Sequence, residues 1–86
     1  MTRTDWTDQA GEDLLFLDPP EYDAAIVGIG HRYTSTFLIY DLGKIIWILQ
    51  GWGMTDEEAR EYFAFNTLGA WVGDTTPAFL EREQAR

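Results

Sequence analysis

The run Thr55-Asp56-Glu57-Glu58 constrains this chain more than any other four residues. A threonine followed three positions later by a glutamate satisfies two orphan N–H groups reciprocally, and early acids suit the positive end of a helix. A helix therefore starts near residue 56. At about 100° per residue, Ala59, Tyr62, Phe63, Asn66 and Ala70 gather on one face, with Glu57 and Glu61 opposite. Further along, that opposite side carries Phe65, Leu68 and Val72, so the helix begins amphipathic and ends apolar all round. Gly73 terminates it, which predicts a helix over 56–72. "TTPAFLE" then reads as a short final strand near 77–80, with Pro77 at an edge or a strand start.

Upstream, "AAIVGIGHRY" and "TSTFLIYD" read as two strands of a hairpin over about 24–40, turning through Arg32 to Ser35. Strict alternation would place Ala25, Val27, Ile29, His31 and Tyr33 on one face. Asp41 then caps a helix over 42–50, whose stripe is Leu42, Ile45, Ile46 and Leu49, with Gly51 at its C-terminal end. A third strand is the alternative there, because Asp41-Leu42-Gly43 can turn a hairpin and Ile45 to Ile48 favour sheet. As a helix, the segment leaves Trp47 off the stripe and partly exposed. The fold expected is α+β in ββααβ order: two helices on one face of a small antiparallel sheet. Residues 1–13 are expected to be a disordered acidic tail, 14–82 the single domain and 83–86 a short tail. Leu14 to Leu17 can extend, and Asp18-Pro19-Pro20 must end that piece.

With 86 residues there is room for one core, and four Trp, four Tyr and five Phe can fill most of it. The absence of cysteine removes disulfides, thiolate zinc and a Cys nucleophile. No basic-then-apolar leader is visible and the longest apolar runs fall far short of a span, so a cytoplasmic protein is expected. The net charge is −9, of which −6 falls in residues 1–23, where seven acids face Arg3 alone. Such a chain repels nucleic acid and anionic membranes and suits a basic protein partner, or simply solvates itself.

The remaining constellations are thin. Gly28 and Gly30 lack the third glycine and the following helix of a dinucleotide fingerprint, and read instead as close packing of an element against β structure. His31 and Ser35 are the sole members of their types and sit around one turn, a poor arrangement for a nucleophile and its base. No metal-ligand spacing is present. No catalytic, cofactor or metal site is therefore expected. Asn66, on the inner face, reads as a buried bracket hydrogen-bonded to backbone, with a ligand contact as the alternative.

Three stretches, "YDAAIVGIGHR", "IYDLGKIIWIL" and "GMTDEEAREYFAFNTLGAWVGDTTPAFL", together resemble a family of small acidic bacteriophage and prophage proteins. The shared pattern runs GMTxEEAxEYFxFNxxGAWVGxxTP at its most specific, and the resemblance covers about residues 22–80. It implies a helix over Lys44 to Leu49 and carries no active site. Trp47 departs from the pattern, where a charged residue is more usual, and so adds an apolar surface patch.

The resemblance implies a non-enzymatic phage accessory protein acting in a bacterial host by binding a host protein, an anti-CRISPR or related anti-defence inhibitor being its most concrete form. The candidate partner surface comprises Trp47, Glu57, Glu61, Phe65, Leu68 and Val72, and a homodimer through the same face is an open alternative. Two other readings compete: a small-ligand or nucleotide-signal binder working as an oligomer, with Asn66 and Trp71 lining its pocket, and a structural or virion component.

Overall fold

The computed structural model describes residues 2–65 and 73–82. In chain order these form α1 (Arg3–Ala10), a 3-10 helix (Pro20–Ala25), β1 (Ile26–Arg32), β2 (Ser35–Asp41), α2 (Leu42–Gly51), α3 (Asp56–Phe63) and β3 (Ala78–Leu80). The α+β class and the ββααβ order of the central elements are as the patterning predicts. α1 and the 3-10 helix precede them.

The sheet has the order β1-β2-β3. β1 and β2 pair antiparallel, but β3 pairs parallel to β2, with Ile39, Tyr40 and Asp41 opposite Ala78, Phe79 and Leu80. The sheet is thus mixed, not antiparallel as expected. The reason lies in the crossover: the connection through α2 and α3 brings the chain back to Ile39, so that β3 runs beside the last three residues of β2 in the same direction.

Strict alternation along β1 also fails, because Ile26 pairs with Tyr40 while Gly28 pairs with Ile39. Val27 is the extra residue of a β-bulge, which resets the faces. Ile26 and Ile29 pack on the core, Val27 is exposed, and Ala25 is buried from the 3-10 helix and not from a strand. On the sheet's other face a Cβ at Gly30 would overlap the Phe37 ring, so the ring keeps this position across the hairpin only over a glycine. The Arg32 guanidinium covers the same ring at 5.2 Å. The hairpin closes through Tyr33-Thr34, with Tyr33 in the left-handed region at φ 55° and its side chain 99 % exposed.

α2 is a helix and not a third strand. Asp41 Oδ1 accepts from the Lys44 N–H at 3.1 Å, and Ile45, Ile46 and Leu49 are buried. The same Asp41 pairs through Oδ2 with Arg82 at 3.1 Å. Gly51 is the last helical residue, and the left-handed glycine that turns the chain is Gly53. α3 opens with both bonds of the capping box: Glu58 N–H to Thr55 Oγ1 at 3.1 Å and Thr55 N–H to Glu58 Oε1 at 2.8 Å. Ala59 and Phe63 are buried as expected, whereas Tyr62 is half-exposed. The expected continuation of this helix to residue 72 lies outside the described residues. Beyond it, Gly73 adopts φ 115° and its carbonyl accepts from the Thr76 N–H and hydroxyl, forming the turn that launches β3.

The core joins Leu38 and Tyr40 of the sheet to Ile45, Ile46 and Leu49 of α2 and to Ala59 and Phe63 of α3, with Leu14, Tyr22 and Ala25 closing one side. Phe79 meets Phe63 edge-on at 4.9 Å and Tyr40 at 6.2 Å. Tyr40 is fully buried, and its hydroxyl accepts from the Leu17 N–H at 2.8 Å.

The expectation of a disordered tail over 1–13 gives way to α1. Thr2 and Asp5 form a second reciprocal capping box, and their bonds hold the Asp5 carboxyl below its usual range. Arg3 then ties the helix down: Nε lies 2.6 Å from Asp23 Oδ2, one terminal nitrogen reaches Asp23 Oδ1 and the Leu17 carbonyl, and the guanidinium covers the Phe16 ring. Trp6 and Ala10 pack against the core.

Two measurements check this account. Tyr33→Gly relieves a left-handed non-glycine residue and is expected to raise the unfolding free energy by about 0.5–1 kcal/mol in urea titrations. Burial pushes the Tyr40 hydroxyl up to about 12, the Leu17 hydrogen bond offsetting part of that rise. Below about pH 10, the ordinary tyrosine value, both folded and unfolded chains keep this proton and the contribution is complete. Between there and the folded value the unfolded chain binds fewer protons, so stability falls as pH rises. Tyr40→Phe is expected to flatten that fall, while costing about 1–3 kcal/mol at neutral pH by orphaning the Leu17 N–H.

Candidate functional site: a tryptophan groove on α2

α2 is apolar around more than its core stripe. Leu42, Ile45, Ile46 and Leu49 face inward, and at about 100° per residue Trp47, Ile48 and Gly51 form a second stripe. Trp52, just past the helix end, continues it. Together with Glu21 and Gln50 these residues line an open groove of about 710 Å³. Trp47 is 64 % exposed and Trp52 47 %.

Neither indole hangs free. Trp52 stacks on Tyr22 of the 3-10 helix, with centroids 5.9 Å apart and planes 27° apart. Tyr22 is itself buried, which raises its hydroxyl above the ordinary value, with nearby Tyr62 adding to the rise. Trp47 carries the Lys44 ammonium 4.7 Å above its ring. The floor of the groove is therefore anchored to the core through Tyr22, and one edge already holds a cation on an indole face.

The groove has the chemistry of recognition. Two indoles and Ile48 supply apolar area, Gln50 an amide and Glu21 one carboxylate. A second, smaller cleft of about 420 Å³ lies by Trp6, Asp23, Ala24 and Ile26, and its carboxylate is engaged by Arg3. Among the described residues, no group of three or more His, Asp or Glu side chains could hold a metal ion. His31 and Ser35 stand on opposite strands of the hairpin, paired with Thr36 and Arg32 respectively.

Of the sequence-derived surface, Trp47 lies on the groove, and Phe65 is 91 % exposed just beyond α3. Glu57 and Glu61 are exposed on α3. Leu68 and Val72, the bracket Asn66 and the pocket candidate Trp71 lie outside the described residues. Trp52, Ile48 and Glu21 were not singled out from the sequence. The signal for the first two was present as a helix with two apolar stripes. Glu21 comes from a different element and carried no signal.

No family model matches the chain, and no solved structure does. Two archaerhodopsins are similar over 60 residues: archaerhodopsin-2 of Halobacterium sp. (strain aus-2) at 43 % identity and archaerhodopsin-3 of Halorubrum sodomense at 40 %. Each alignment covers 70 % of this chain but 20 % of the relative, so the chain spans about a fifth of the length of the curated relatives it matches. The likeness is of a segment, and it does not place the chain in their family. Among the described residues no helix is long and apolar enough to cross a membrane.

If Trp47 belongs to a surface and not to the core, Trp47→Ala should change the unfolding free energy by under about 0.5 kcal/mol. Phe63→Ala, which empties the α3–sheet interface, should cost about 3–5 kcal/mol in the same denaturant titration.

Proposed function

We propose that this chain is a non-enzymatic accessory protein that acts by docking another protein on the α2 groove. The observation that carries this reading is the pair of exposed tryptophans, Trp47 and Trp52, on a groove floor fixed by the Tyr22 stack. Large aromatic side chains held rigid in a shallow apolar depression are the residues that dominate binding energy at protein interfaces. Holding them in place beforehand also lowers the ordering cost of association.

The phage-type resemblance narrows the proposal to a host protein as partner, with a defence-complex subunit as its most specific version. On that reading the chain blocks its target stoichiometrically, and its small size and acidity serve solubility and partner choice.

The test is affinity capture from a bacterial host lysate with the wild-type chain, Trp47→Ala and Trp52→Ala, together with phage restriction scored on expression. A stoichiometric partner retained by the wild type and reduced at least about tenfold by either substitution is expected. Capture indifferent to both substitutions would remove the groove from the function. Unchanged restriction would remove the anti-defence version while leaving the docking reading to the capture result.

A further inference from the structure

Resting on that docking reading, we propose that the groove's partner is a basic amphipathic segment of another protein, whose apolar ridge lies on Trp47, Ile48 and Trp52 and whose Lys or Arg side chains meet Glu21 and the exposed part of Trp52.

Three observations select this occupant. The first is the Lys44 ammonium, 4.7 Å over the Trp47 ring. The groove already binds a cation on an exposed indole, and an incoming Lys or Arg can use the same quadrupolar attraction on the exposed part of Trp52. The second is the balance of charge beside the groove. Glu21 is the one ionisable residue among those that line it, and it is acidic. Lys44, the cation nearest the lining residues in the chain, lies over the Trp47 ring and keeps its charge, so an incoming cation is drawn to Glu21 and Trp52 and not to Trp47. The third is the charge of the whole chain, −9. Two copies brought face to face repel each other, whereas a basic segment is attracted and steered. A second copy is thus the disfavoured occupant, and a neutral apolar peptide gains nothing from Glu21 or from the field.

The geometry suits a helix. An open groove along one side of a helix accepts the apolar face of another, with anchors spaced at i, i+3 and i+4. A basic residue of such a segment would then lie over Glu21.

The test uses the full chain and three synthetic helical peptides of about 18 residues, or five turns. All share one leucine ridge and differ only in polar residues: lysine, glutamine or glutamate. Binding is read by calorimetry and by tryptophan fluorescence, at about 50 mM and about 500 mM salt. The lysine peptide is expected to bind at least about tenfold more tightly than the glutamine peptide at low salt, with most of that advantage lost at high salt. Trp47→Ala should weaken it about tenfold and Glu21→Gln about threefold. Trp47 and Glu21 lie outside the core, so both variants should stay folded by circular dichroism.

Equal binding of the lysine and glutamine peptides, still dependent on Trp47, would overturn the basic partner and leave the docking reading standing. Lysine-peptide binding untouched by Trp47→Ala would mean charge attraction alone and would overturn the proposal at this site. Failure of all three peptides to bind would overturn it too. So would concentration-dependent dimerisation in sedimentation velocity that Trp47→Ala abolishes, because a second copy would then be the occupant.

Discussion

The fold turns on Tyr40. Its ring sits near the end of β2, the central strand, between Ile26 of β1 and Phe79 of β3, and packs in the core with the helices. Its hydroxyl, although buried, is not orphaned: it accepts the Leu17 N–H from the segment that leads into the 3-10 helix. One side chain therefore joins the sheet, the helical layer and the N-terminal segment. A phenylalanine could fill the same volume but would leave a partly buried backbone donor without its partner. Because burial favours the neutral phenol, the joint holds throughout the physiological pH range.

That joint is what makes the groove possible. Leu17 fixed on Tyr40 brings the 3-10 helix against α2, and the 3-10 helix delivers Tyr22 beneath Trp52 and Glu21 to the rim. The second stripe of α2 is consequently neither covered nor loose. In a small domain the elements run out before every apolar face is buried, and the face left over is the natural place for contact with another molecule.

The N-terminal charge has a similar dual character. Most of the acids of residues 1–23 stay in solvent, but Asp5 and Asp23 do structural work, one capping α1 and the other gripping Arg3. Arg3, the lone base of that stretch, is spent on the anchor. The segment thus keeps its negative charge while being held to the domain by Arg3.

What the sequence determined by itself was local. The Thr55–Glu58 capping box, the Asp41 cap, the buried stripe of α2, the close approach at Gly30 and the Gly73 turn all rest on contacts within a few residues or on a simple period, and each could be read directly. Alternation alone could not show the Val27 bulge, because an extra residue leaves no mark until β1 meets β2. The parallel placement of β3 depends on how far two helices carry the chain back, which no local pattern encodes. The Thr2–Asp5 box was legible in principle, but composition argued against order; what held α1 was Arg3 meeting Asp23 twenty residues on. Trp47 was visible as a residue off the stripe. The groove itself was decided by the tertiary structure, because Glu21 and Tyr22 reach Trp52 only after the 3-10 helix folds back on α2. Residues close in the chain announce their contacts through spacing, whereas a site assembled from distant segments exists only once the core has brought them together.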